Sequence, residues 1–170
     1  GRPGFGPTGD PYAFQFEVSA GQVGIQVLPN INGIGFTIKW QNGATQIISA
    51  AETNLQSPTT QAGIISINKE TDKTSPLPLG GFCDNFAVVD GKEFVTKVIS
   101  WGQNTWNNLD SAFLNCVNLT DIGGTSLKTD GIIGDFDFLF KGCSSLTAID
   151  MTKWDLSSGG GVTIRSIAED

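Results

Sequence analysis

Histidine is absent from the 170 residues, and that gap removes most familiar catalytic arrangements. Ser-His-Asp and Cys-His catalysis need an imidazole base, and the commonest zinc sites need it as a ligand. Three cysteines are present: Cys83, Cys116 and Cys143. An odd, sparse set is no disulfide framework, and no CxxC pair points to zinc. Asp130, Asp135 and Asp137, with Gly131 and Gly134 among them, loosely suggest a calcium loop. Their spacing lacks the alternate ligands and closing Glu of an EF-hand, so they read as a solvated acidic loop. The 17 acids are scattered, and nothing singles out a pair for glycoside hydrolysis. No GxSxG, P-loop or GxGxxG is found, and Gly80-Gly81 and Gly159-Gly160-Gly161 lack strand–helix surroundings. Asn118-Leu119-Thr120 matches a glycosylation sequon but abuts an expected strand, so it reads as accidental. The expectation is a chain with no catalytic residue, no metal and no cofactor.

Charge and composition narrow the partners. The net charge is −7, with 17 acids against 10 bases. Residues 1–100 are nearly balanced, while 101–170 carry most of the excess. A chain of this sign without a basic patch repels phosphate backbones, which argues against nucleic acid. No apolar run approaches the roughly 18–20 residues of a membrane span. Hydrophobic residues make up 39% and charged ones 16%, enough for a buried core, and 22 glycines favour β-structure rich in turns. The lack of an initiator Met and of a signal sequence leads to the expectation of a mature form or an excised piece.

The elements that would position any site fall into three stretches. Residues 1–11 read as a Gly/Pro-rich linker, with Gly-x-y triplets too few for a collagen helix. Residues 12–100 alternate as strands do. Phe14, Phe16 and Val18 share one face; Val23, Ile25 and Val27 repeat the pattern, as do Phe36, Ile38 and Trp40 opposite Thr37 and Lys39. Asn42-Gly43 marks a hairpin returning through residues 45–48. Residues 64–67, 86–89 and 94–99 supply further strands, and Ser57-Pro58 and Ser75-Pro76 punctuate the loops. Short strands at this spacing predict a small antiparallel sandwich.

From about Trp101 the sequence repeats itself. Phe113 aligns with Phe140, Cys116 with Cys143, Leu119 with Leu146 and Ile122 with Ile149, every pair 27 residues apart. One more step reaches Ile167, where a third copy starts and stops. That period lies among those of leucine-rich repeats, about 20–29 residues. Leu109, Ala112 and Phe113, like Phe136, Leu139 and Phe140, have the spacing of one helical face. Each copy therefore predicts a short helix, a turn at the Cys and a strand at 119–122 or 146–149. Two copies and a fragment are fewer than such stacks need, so the β-region is expected to cap them or further repeats to follow. Cys116 and Cys143 read as small buried side chains on adjacent rungs, with a disulfide between them left open. Trp101, Trp106 and Trp154 read as covers for the ends and edges of the stack, with exposed sugar platforms as the alternative.

The second copy, Phe140-Lys141-Gly142-Cys143-Ser144-Ser145-Leu146-Thr147-Ala148-Ile149-Asp150 continuing to Trp154-Asp155, resembles the BspA-type leucine-rich repeat. Residues 36–45, with Phe36-Thr37-Ile38-Lys39-Trp40 before Asn42-Gly43, resemble the immunoglobulin-like domain of the polycystic-kidney-disease type. There Gln41-Asn42 stands for that family's Gly-Asp. The layout is similar to phage tail-fibre or virion proteins and to bacterial surface adhesins. The resemblance implies an α+β chain: an antiparallel β-sandwich-like domain at 12–100 and a helix–strand repeat stack at 101–170. It also implies a non-enzymatic module for adhesion or host recognition, displayed on a virion or bacterial surface. Its partners would be a host-surface protein or glycan. A spacer or cement protein contacting sister subunits is the alternative, and a cryptic polysaccharide hydrolase the third reading. Phe113, Cys116, Leu119, Ile122, Phe140, Cys143, Leu146 and Ile149 are the expected repeat core.

Overall fold

A computed structural model describes residues 13–28, 35–69, 85–102, 105–106, 108–123, 128–129, 134–135, 138–150, 154 and 162–163. The 1–11 linker, Cys83, Asp130, Asp137 and Ile167 lie outside them. So does Phe136, and at Asp135 and Trp106 only the backbone is described.

Eight strands form two antiparallel sheets. They are β1 (Phe14–Val18), β2 (Gly24–Leu28), β3 (Phe36–Lys39), β4 (Thr45–Ile48), β5 (Glu52–Gln56), β6 (Gly63–Lys69), β7 (Asn85–Asp90) and β8 (Val95–Ser100). Alternating apolar residues mark β1, β2 and β3 most clearly among them. One sheet runs β4-β3-β6-β1-β8 and the other β5-β2-β7. The β3–β4 hairpin closes where Asn42-Gly43 predicts. Gly43 N donates to Trp40 O (2.9 Å), Trp40 N donates to Ala44 O (2.8 Å), and Gly43 supplies the positive φ of 86° that this three-residue loop needs. Phe14 and Phe16 of the larger sheet meet Phe86 of the smaller at ring separations of 5.0 and 5.8 Å. Those contacts place the core between the two inner faces.

The expectation of an α+β repeat stack is overturned. No α-helix occurs among the described residues, and the chain there is nearly all β. Residues 109–119 and 138–146 are instead successive tight turns. Ala112 N donates to Leu109 O, Leu114 N to Ser111 O, Cys116 N to Phe113 O and Leu119 N to Cys116 O. In the second copy Lys141 N donates to Phe138 O, Cys143 N to Phe140 O and Leu146 N to Cys143 O. The physical reason lies in the backbone. Ser111 (φ 57°) and Asn115 (φ 62°) are left-handed, as are Phe138 (φ 60°) and Gly142 (φ 75°), at the same two positions of each copy. A left-handed residue every fourth position stops a right-handed helix from propagating. Chained turns that reverse every three or four residues bury the same positions a helix would. Leu109, Ala112, Phe113, Cys116 and Leu119 are accordingly all buried.

The expected parallel strands at 119–122 and 146–149 are absent too. Thr120 N donates to Thr96 O (2.9 Å) and Val98 N to Asp121 O (2.8 Å), so the first copy runs beside β8 rather than beside its own repeat. The copies contact each other through their turns: Phe113 N donates to Leu139 O (3.0 Å) and Asn115 N to Lys141 O (2.7 Å). Two-residue parallel pairs, β9 (Thr105–Trp106) with β10 (Lys128–Thr129) and β11 (Gly134–Asp135) with β12 (Val162–Thr163), also link successive passes of the chain.

The turn units extend the sandwich core. Val88 N of β7 donates to Ala112 O (2.8 Å), so one outer strand of each sheet holds the first unit. Phe113 meets Phe14, Phe16 and Phe86 within 6.3 Å and stacks on Phe140 at 6.1 Å. Trp101 is buried, donates its Nε1–H to Ile122 O (2.9 Å), and contacts Phe14, Phe140 and Trp154. One apolar cluster thus runs from Phe14 to Cys143.

Candidate functional site

The residues expected as repeat core do converge, but on the interior. Phe113, Cys116, Leu119, Ile122, Phe140 and Cys143 are buried, while Leu146 and Ile149 pack half-buried against them. Cys116 and Cys143 carry free thiols, and the Cys143 Sγ donates to Phe113 O at 3.0 Å. Burial pushes the Cys143 thiol up to about 11 and the Cys116 thiol higher still, where Cys143 adds to the effect. A thiol held in its neutral form is a poor nucleophile and a poor metal ligand. Trp101, 1% exposed, is an interior ring rather than a sugar platform. Trp154 is half-buried against Trp101 and Phe140. Among the described residues no cluster of His, Cys, Asp or Glu has a metal-binding arrangement.

A groove of about 510 Å³ opens where the smaller sheet meets the first turn unit. Gln26 and Leu28 of β2 form its floor with Ala87 and Val89 of β7, alternating with Ile25, Val27, Phe86 and Val88 of the core. The opposite wall is Asn108, Asp110, Ser111 and Leu114. Lys92, at the start of a short 3-10 turn, Lys92–Phe94, also lines it.

Local chemistry fixes each wall. Asp110 N donates to the Asn108 side-chain oxygen (2.8 Å), setting the turn that carries both residues. The Val88–Ala112 bond ties that turn to the sheet. Lys92 follows Gly91, whose φ of 64° and close approach to Gln22 O leave no room for a Cβ. The result is a preformed trough with an apolar floor and amide, carboxylate, hydroxyl and ammonium groups around it. It holds one cation and one anion, so it is close to neutral in a chain of net charge −7.

None of these groove residues stood out in the sequence. They come from three stretches, 26–28, 87–92 and 108–114, that only the sheet pairing and the turn unit bring together. The local signal available was Asn108-Leu109-Asp110, a side-chain-capped turn directly before the first repeat. No protein family, curated protein or solved structure matches the chain.

Proposed function

We propose that this chain is a non-enzymatic recognition module, displayed on a virion or bacterial surface for adhesion or host recognition, whose groove holds a neutral glycan. The observation that carries the reading is the lining of the groove. Amides both donate and accept, Asp110 accepts, and Lys92 donates, which suits sugar hydroxyls that do both. Leu28, Val89 and Leu114 offer apolar surface to the C–H face of a ring. A volume near 510 Å³ is within the range of ligand sites, and near-neutral walls favour an uncharged chain over a polyanion. Binding rests on shape and hydrogen bonds, with no covalent step.

A glycan array probed with the wild type, Asp110→Ala and Lys92→Ala tests this. The expected result is retention of particular neutral glycans, weakened about tenfold or more in each variant. Reducing ends should not accumulate on prolonged incubation. Retention of peptides alone, or turnover of a retained glycan, would replace the reading.

A further inference from the structure

We propose that β4 is a self-pairing edge, through which two copies of this chain join their five-stranded sheets into one. The proposal is independent of the glycan reading and rests on how the four sheet edges differ. An open edge is a template for any strand, and proteins guard it with charge, a bulge or a cover. Three of the four are guarded. The outer edge of β8 is covered by residues 120–121, and that of β7 donates Val88 N to Ala112 O. β5 carries Glu52 and is paired to β2 through a register shift. Among the described residues β4 has none of these. Its sequence Thr45-Gln46-Ile47-Ile48 is uncharged and lacks proline, its pairing with β3 is regular, and no described strand lies beyond it. Ile47 is 63% exposed in the middle of this edge.

The ladder fixes which groups face outward. Trp40 N donates to Ala44 O, so alternation turns the backbone groups of Gln46 and Ile48 toward β3 and those of Thr45 and Ile47 to the open side. A two-fold axis through Ile47 then makes a hydrogen-bonded antiparallel pair, Ile47 opposite Ile47 of the second copy. Thr45 falls opposite Ser49, and Gln46 opposite Ile48. Each pair lies on one face of the joined sheet, as pairing demands. Like meets like across this axis, which an uncharged run from Thr45 to Ala51 tolerates in a chain of net charge −7. The same axis buries the exposed Ile47 against its own copy, a match that a foreign strand has no reason to offer. β4 and β8 are opposite ends of the five-stranded sheet, so the turn units and the groove stay clear of the junction. The pair presents two grooves, and binding to a surface carrying several ligand copies gains from both.

The contact is small, so association should be weak and concentration-dependent. Sedimentation equilibrium of the full chain from micromolar to millimolar concentration should show mass rising toward a dimer. Ile47→Lys should weaken association about tenfold or more, with the circular dichroism spectrum and melting temperature unchanged. In a Cys83→Ser background, mild oxidation should convert Ile47→Cys to a covalent dimer while Thr53→Cys on β5 stays monomeric. A wild type that remains monomeric throughout, with no cross-link from Ile47→Cys, overturns the proposal. So does association that Ile47→Lys leaves unchanged, or open-edge capture of an unrelated strand peptide in preference to a second copy.

Discussion

Gly142 and Asn115 occupy the same place in the two turn units, both left-handed and pressed together. A Cβ on Gly142 would overlap the Asn115 side-chain oxygen, and its φ of 75° disfavours alanine. Gly142→Ala should therefore cost about 1–3 kcal/mol in urea unfolding, whereas Asn115→Gly should be near neutral. Gln41 makes a second residue-level case. It is buried beside Gly63, and among the described residues neither of its side-chain polar atoms has a hydrogen-bond partner. Gln41→Leu should stabilise the fold by about 1–2 kcal/mol, read as a higher unfolding midpoint. The thiols of Cys116 and Cys143 should resist labelling in native protein near neutral pH and react at once in denaturant. The folded Cys143 thiol titrates above its ordinary 9.0, so its contribution to stability is intact below that pH. That contribution is lost as pH rises through about 11, visible as a falling melting temperature only on the alkaline side.

At the scale of elements, the edges of the sandwich determine where the turn units sit. Phe113 touches rings of both sheets as well as Phe140, whereas Phe140 touches Phe113, Trp101 and Trp154. Each truncation to Ala should cost about 3–5 kcal/mol. Phe113→Ala should lower the stability of sandwich and turns together in one transition. Phe140→Ala should loosen residues 138–150 first, seen as faster amide exchange at Lys141 and Cys143 than at Phe16 and Val98. Strands such as β1 and β3 were legible because one of their faces is wholly apolar and buried. β5 was not legible: Glu52-Thr53-Asn54-Leu55-Gln56 has one apolar residue, and its place comes from pairing with β2. The 27-residue period is legible along with the buried positions it selects, yet its conformation is not. Helical spacing and chained turns bury the same residues, and only the left-handed backbone at Ser111, Asn115, Phe138 and Gly142 separates them. Of those four, Gly142 alone announces such a backbone strongly in sequence.

The whole molecule is a sandwich whose core continues into two turn units, and its groove exists because of that continuation. The Val88–Ala112 bond, the bond from the Asn118 side chain to Glu93 O and the packing of Phe113 together set Asp110 against Lys92, a relation the linear chain does not show. The recognition reading stands on this assembled groove. Its most direct measurement is an amide chemical-shift map of isotope-labelled protein titrated with a glycan retained on the array. Shifts should concentrate at Gln26, Val89, Lys92, Asn108, Asp110 and Leu114, and disappear with Asp110→Ala. Shifts confined to another face and insensitive to Asp110→Ala would contradict the recognition reading.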